Sequence, residues 1–241
     1  MPARGMKRAI CAVLICTLAA CTPQPKVAYK SGPQPLKKIT LLACAEPTQY
    51  KADDYGMKIE GLLVIFGVAG GAVAGEIAEA RNQAHAKVLT GALQQQHFAI
   101  CPAMTQAMTE ALSAKGYAVT VADAPREKPG SLVLDYGKIQ TDSDAILDLA
   151  IFYTGYASAG GDYQPSLRVA VRLVGNPKHD VLYGNTIYYG YHVGLTNQPV
   201  RADPQYSFKD LDNVVGSGPH AVDGINAGAK LIAAKIAQSL G

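Results

Sequence analysis

Ser166-Leu167-Arg168-Val169-Ala170-Val171-Arg172-Leu173-Val174 alternates in hydropathy with a period of two. In an extended chain, Leu167, Val169, Val171 and Leu173 point to one side and Arg168, Ala170 and Arg172 to the other. This is the signature of a strand with one buried face. Two more β-rich runs flank it, at 145–156 and 181–191, across turn-rich segments at 157–164 and 175–180. Three strands in succession with short connections form an antiparallel meander.

Burying the apolar set of the middle strand against Leu147, Leu149, Ile151 and Tyr153 fixes the first hairpin. Leu149 then lies opposite Val171. On the other face, Asp148 lies opposite Arg172 as a solvent-exposed pair, and Phe152 sits beside Arg168. The third run has two readings: Tyr183 and Tyr189 share one face, while Leu182 and Tyr188 share the other.

Working outward to the C-terminus, Ser217-Gly218-Pro219 opens a helix. Its stripe is Val222, Ile225, Ala229, Ile232 and Ile236, with Lys230 and Lys235 off it, so it covers a sheet face. Working toward the N-terminus, 131–140 and 117–121 read as strands. Cys101-Pro102 starts a helix whose apolar stripe is Met104, Ala107, Met108, Ala111 and Leu112 and which ends at Gly116. Residues 36–44 read as a first strand, closed by Glu46-Pro47-Thr48-Gln49.

Between them, residues 57–96 form an apolar, Gly-rich helical insert. Gly67, Gly71 and Gly75 recur every four residues, a bare stripe that allows close helix contact. The run from 61 to 75 would be about 22 Å long as a helix, at ~1.5 Å per residue. That is short of a ~30 Å hydrocarbon core. Two readings stay open for it: a buried segment of the domain, or a self-associating or membrane-contacting helix.

The N-terminus has basic Arg4, Lys7 and Arg8, an apolar run from 9 to 18, and Leu18-Ala19-Ala20-Cys21. Charge order and length are those of a secretory signal peptide. The tetrapeptide resembles the lipobox of bacterial lipoproteins, which implies cleavage before Cys21 and lipidation on it. Residues 1–20 are then the leader. Residues 21–35, with Pro23, Pro25, Pro33 and Pro35, form an extended tether, and 36–241 form the periplasmic domain. The chain has 22 basic and 19 acidic residues. Arg4, Lys7 and Arg8 leave with the signal, so the remainder is balanced in charge and gives no footprint for nucleic acid.

Cys11 and Cys16 also belong to the leader, leaving Cys44 and Cys101 in an oxidising compartment. A disulfide is the favoured reading, two buried free thiols the other.

The order of elements resembles a superfamily of envelope lipoproteins. It includes the CsgG-like curli-secretion, PelC-like exopolysaccharide and LpoB-like peptidoglycan-synthase-activating proteins. Asp144-Ala145-Ile146-Leu147, Val169-Ala170-Val171-Arg172-Leu173-Val174 and Val181-Leu182-Tyr183 carry the likeness. It implies an α+β fold and a role in the envelope. The Gly-rich insert at 57–96 departs from the hairpins with which the curli-secretion proteins build a barrel.

No nucleophile elbow, zinc-binding His-Glu-x-x-His or phosphate loop is present in the sequence. Asp142 and Asp144 around Ser143 read as turn residues, with cation binding as the sharper alternative. Tyrosines concentrated between 153 and 191, with Phe152, Arg168 and Arg172, make a candidate glycan- or protein-binding face.

The expectation is an α+β domain. Its sheet is mixed but largely antiparallel, ends in a three-strand meander and is packed by helices, including a long C-terminal one. The functional expectation is a noncatalytic outer-membrane lipoprotein facing the periplasm, acting as a scaffold or assembly factor without cofactor or metal. Its partners would be envelope proteins or glycan, the membrane through its lipid, and further copies of itself. The alternative is a secretion or transport component whose Gly-rich segment contacts the membrane. A cell-wall glycan enzyme is the third reading and lacks an acid-base pair.

Overall fold

A computed structural model describes residues 25–30, 35–56, 59–192 and 199–241. The elements run β1 (Lys38–Leu42), β2 (Lys51–Asp54), α1 (Ile59–Gln95), α2 (Ile100–Ser113), β3 (Ala118–Ala122), β4 (Ala145–Ser158), β5 (Gln164–Gly175), β6 (Val181–Tyr189), α3 (Leu211–Gly216) and α4 (Gly218–Ser239). The fold is α+β. Its mixed six-stranded sheet has the order β3-β1-β4-β5-β6, with β1 pairing to the N-terminal end of β4 at Ala145–Leu147 and β2 to its C-terminal end at Gly155–Ser158. The first three pairings are parallel and the C-terminal meander is antiparallel.

The meander forms in the register that its hydropathy dictates: Leu149 pairs with Val171 and Asp148 with Arg172. In β6, Tyr183 pairs with Leu173 and Tyr189 with Leu167, so both tyrosines face the core. The core lies between this sheet face and the helices. Met104, Met108 and Leu112 of α2 meet Ile225, Ala229, Ile232 and Ile236 of α4 there, all buried. Lys230 and Lys235 are exposed, as their place off the stripe requires.

Three features differ from the sequence expectation. First, Asp148 is fully buried rather than exposed, and it forms an ion pair with Arg126. Second, 131–140 is not a strand. Its polar groups serve that ion pair: Val133 N–H and Tyr136 O–H donate to Asp148, and Arg126 donates to the Ser131 carbonyl. With Leu42, Ile146 and Val174, Val133 and Tyr136 form a smaller core on the sheet's other face. Third, a bulge between Ile151 and Tyr153 leaves Phe152 unpaired and sets Tyr153 opposite Arg168.

Strand β2 has no hydropathy signal; its sequence is Lys-Ala-Asp-Asp. It forms because Gly155, at φ +147°, lets it approach β4. A Cβ on Gly155 would collide with the Lys51 carbonyl. At the opposite end of the sheet, Val27 and Gly184 exchange backbone hydrogen bonds and Lys30 N–H donates to Leu182. Part of the Pro-rich stretch therefore covers the free edge of β6.

Asp144 makes long-range bonds rather than the local ones of a turn: its carboxylate accepts the N–H groups of Lys37 and Lys38 at 2.7 and 2.8 Å, tying the start of β1 to the start of β4. These bonds hold its pKa below the usual carboxylate range. Among the described residues, no helix is long and apolar enough to cross a membrane.

Candidate functional site: a cationic groove beside the β4 bulge

The 123–141 segment covers the outer sheet face over β1, β4 and β5, and its cover ends near Gly130. Gly130 has φ +72°, and a Cβ there would stand 3.0 Å from the Ile151 carbonyl. This glycine lets Lys128 and Pro129 approach the bulge from one side. Gly155 brings Lys51 from the other. Between them lies a groove of about 330 Å³, lined by Gln49, Lys51, Lys128, Ile151, Phe152 and Arg168 among others.

The bulge turns Phe152 outward, where it is 39% exposed. The Arg168 guanidinium carbon lies 5.4 Å from the ring centroid, a cation–π arrangement. Among the described residues, neither a carboxylate nor a histidine lines the groove. Its chemistry is recognition: three cations, an aromatic edge and the amide of Gln49.

Arg168 also adjoins an aromatic cluster. The His192 ring stands edge-on to Tyr153 and Tyr188 at 5.6 and 5.3 Å, and Tyr55 tilts against Tyr191 at 5.9 Å. His192 Nε2 lies 2.9 and 3.0 Å from the carbonyl oxygens of Leu167 and Tyr189. Both can only accept, so Nε2 carries the proton. Burial pushes the His192 pKa below its ordinary value, which keeps the ring neutral. Tyr55 donates to Asp53 at 2.9 Å. Burial and that carboxylate raise the Tyr55 pKa.

The expected face of Phe152, Arg168 and Arg172 is therefore divided. Phe152 and Arg168 come together at the groove. Arg172 lies over the Tyr136 ring at 6.0 Å, beside the Asp148–Arg126 pair. Lys51 and Lys128 were missed by sequence reading, because each sits in a polar, unperiodic stretch. The only sequence signal for either is the glycine that admits it.

Cys44 and Cys101 form a disulfide with Cα atoms 5.6 Å apart, tying the end of β1 to the first turn of α2. Glu46 works beside it. Its carboxylate accepts Ile100 N–H and Cys101 N–H, both at 2.9 Å, and so caps α2 with negative charge. Gly67, Gly71 and Gly75 all fall within α1. A Cβ on Gly75 would meet nothing within 4 Å. What Gly67 and Gly71 touch, and Cys21 itself, lie outside the described residues.

A second cavity, of about 520 Å³, lies between α1 and α3. Of its acidic groups, Asp54 pairs with Arg81 and Asp210 caps α3. Among the described residues, no group of three or more His, Cys, Asp or Glu side chains could hold a metal ion.

No protein-family model and no curated protein matches the chain. Solved structures are similar at a distance. The PelC dodecamer from Paraburkholderia phytofirmans has 13% identity over 90% of this chain and 95% of that chain, with a TM-score of 0.40. Protein XCC0632 from Xanthomonas campestris has 6% identity over 89% of this chain and 90% of that chain, at 0.39. A putative neuraminyllactose-binding hemagglutinin homolog from Helicobacter pylori has 12% identity over 88% and 90%, at 0.30.

Proposed function

We propose that the chain is a noncatalytic lipoprotein anchored to the periplasmic face of the outer membrane through Cys21. There it acts as a scaffold or assembly factor. In this reading, 1–20 is the leader, 21–35 carries the lipid and tether, and 36–241 is the working domain. The observation that carries the proposal is the division of the cysteines. Cys21 closes the Leu-Ala-Ala-Cys sequence that follows the N-terminal apolar run, and the two cysteines downstream of it are joined to each other. A structural disulfide belongs to an oxidising compartment, which supports export. Thr22 follows Cys21 where an aspartate would favour retention at the inner membrane.

The working surface is the groove at Phe152 and Arg168, and the partners are envelope proteins or glycan, including further copies of this chain. Cys21→Ala tests the anchor. The variant should leave the membrane fraction or accumulate with its leader attached; normal membrane fractionation would refute the proposal.

One observation favours the transport reading as a second possibility. Where α1 emerges from its contacts at residues 75–80, Gly75, Glu76, Ile77, Glu79 and Ala80 are all exposed, and Ile77 is 54% exposed. The helix continues from there into the apolar sequence at 61–74. An exposed apolar side chain leading into such a segment suits contact with a membrane or a second chain. Removing 57–78 should loosen membrane association beyond the effect of the lipid if this reading holds.

A further inference from the structure

We propose that the groove between Lys51, Lys128, Phe152 and Arg168 binds an acidic saccharide, a sugar ring bearing a carboxylate or phosphate. The proposal deepens the envelope-binding reading above and rests on it.

The first support is concentrated positive charge. Lys51, Lys128 and Arg168 line one groove, and among the described residues no carboxylate lines it with them. The ion pairs of the described residues are Lys38–Asp142, Arg81–Asp54, Arg126–Asp148 and Lys138–Asp135, none of which involves these three cations. Three like charges facing a common space repel one another, and an anion between them relieves that repulsion.

The second support is an unmet donor. Arg168 Nε is buried and has no hydrogen-bond partner among the described residues. Leaving a buried donor unsatisfied costs free energy, and an oxygen of a bound anion would satisfy it. The guanidinium is already held against the Phe152 ring, so its planar fork is oriented before a ligand arrives. A carboxylate or phosphate can accept two parallel bonds from that fork.

The third support is the rest of the lining. Phe152 offers exposed ring surface, and exposed Pro129 adds an apolar edge. Thr48 and Gln49 supply neutral hydrogen-bonding groups suited to hydroxyls. A sugar ring presents the same combination, with apolar C–H faces and a polar rim. The volume of about 330 Å³ is at the small end of the roughly 300–1,000 Å³ of ligand pockets. It suits a short saccharide rather than a folded partner.

The test is calorimetric titration of the full chain, in neutral detergent at low salt. The probes are trigalacturonate, its methyl ester, glucose 6-phosphate and inorganic phosphate. Trigalacturonate or glucose 6-phosphate should bind, and whichever does identifies the acid. Methyl esterification, Arg168→Gln and the double variant Lys51→Gln/Lys128→Gln should each weaken binding about tenfold or more, the scale of one lost charge-assisted contact. Lys230→Gln/Lys235→Gln, on the exposed side of α4, should bind as wild type. The lysine pair at the groove is exposed, so its replacement leaves the fold intact, and an unchanged unfolding midpoint verifies this. The proposal is overturned if neither acid binds, if the ester binds equally, if inorganic phosphate binds as tightly as the sugars, or if the groove variants retain wild-type affinity. Membrane fractionation of the same cells reports on the anchor independently, so failure of the groove is distinguishable from failure of the envelope reading.

Discussion

Gly228 of α4 lies directly against the ring of Tyr189 on β6. A Cβ there would stand 2.6 Å from the ring's Cδ1 and Cε1 and 2.7 Å from Leu167 Cδ1. One turn earlier, a Cβ on Gly224 would stand 2.6 Å from the Tyr156 hydroxyl and 2.9 Å from Tyr206 Cβ. The glycine stripe that operates within the described fold is therefore on the C-terminal helix. It makes room for large tyrosines from the meander, and Tyr156 uses that position to donate to the Ala221 carbonyl at 3.0 Å.

Gly228→Ala should lower stability by about 1–3 kcal/mol through overpacking, set against a helix-propensity gain of ~1 kcal/mol. The net effect should be a lower unfolding midpoint. Gly75→Ala is the contrast: its Cβ meets open space, so the midpoint should hold or rise. Equal loss in both variants would place Gly75 against a partner surface.

The Asp148–Arg126 pair should be indispensable. Their side chains are 0% and 4% exposed and meet at 2.7 Å. Arg126 also donates to the Ala43 and Ser131 carbonyls, and Asp148 accepts from Val133 and Tyr136. Asp148→Ala would strand a buried cation, at a cost of about 3–5 kcal/mol. Asp142→Ala, which breaks the exposed pair with Lys38, should leave chemical denaturation unchanged.

Reducing the Cys44–Cys101 bridge should destabilise the domain. The cysteines are separated by 57 positions, and the chain-entropy model gives roughly 4 kcal/mol for a loop of that size. Denaturation midpoints with and without reductant measure the effect. Thiol labelling of the unreduced, denatured protein should find both cysteines blocked.

His192 should make stability depend on pH. Its folded pKa lies below its ordinary value because burial disfavours the imidazolium. Between the folded value and the unfolded value of about 6.5, the unfolded chain binds more protons. The contribution is therefore fully present above about pH 6.5 and is lost as pH falls through the folded pKa. Urea denaturation at pH 7.5 and pH 5 should show lower stability at the acid end, and His192→Gln should shrink that difference. An unchanged difference would place the acid sensitivity elsewhere.

The meander and the two amphipathic helices could be read from the chain because each turns a periodic apolar set toward the main core, and the hydropathy of Leu167–Leu173, of Met104–Leu112 and of Ile225–Ile236 records which face that is. The 131–140 segment misled because its apolar residues pack over the sheet while its backbone answers to side chains, Asp148 and Arg126. Strand β2 is hidden because its pairing depends on a glycine in a different strand. The groove was half legible. Alternation placed Phe152 and Arg168 on one face, but it could not anticipate the bulge that exposes the ring. Nor could it separate Arg168 from Arg172, which turns to Tyr136. Lys51 and Lys128 reach the groove through loop geometry, and no local pattern encodes that.

The central claim is lipid anchorage, and intact-mass and peptide analysis of the mature protein's N-terminus tests it most directly. The account predicts a first residue of Cys21, with Met1 through Ala20 gone and acyl chains added to that cysteine. An N-terminal peptide that starts elsewhere, or that starts at Cys21 with an unmodified thiol, would contradict it.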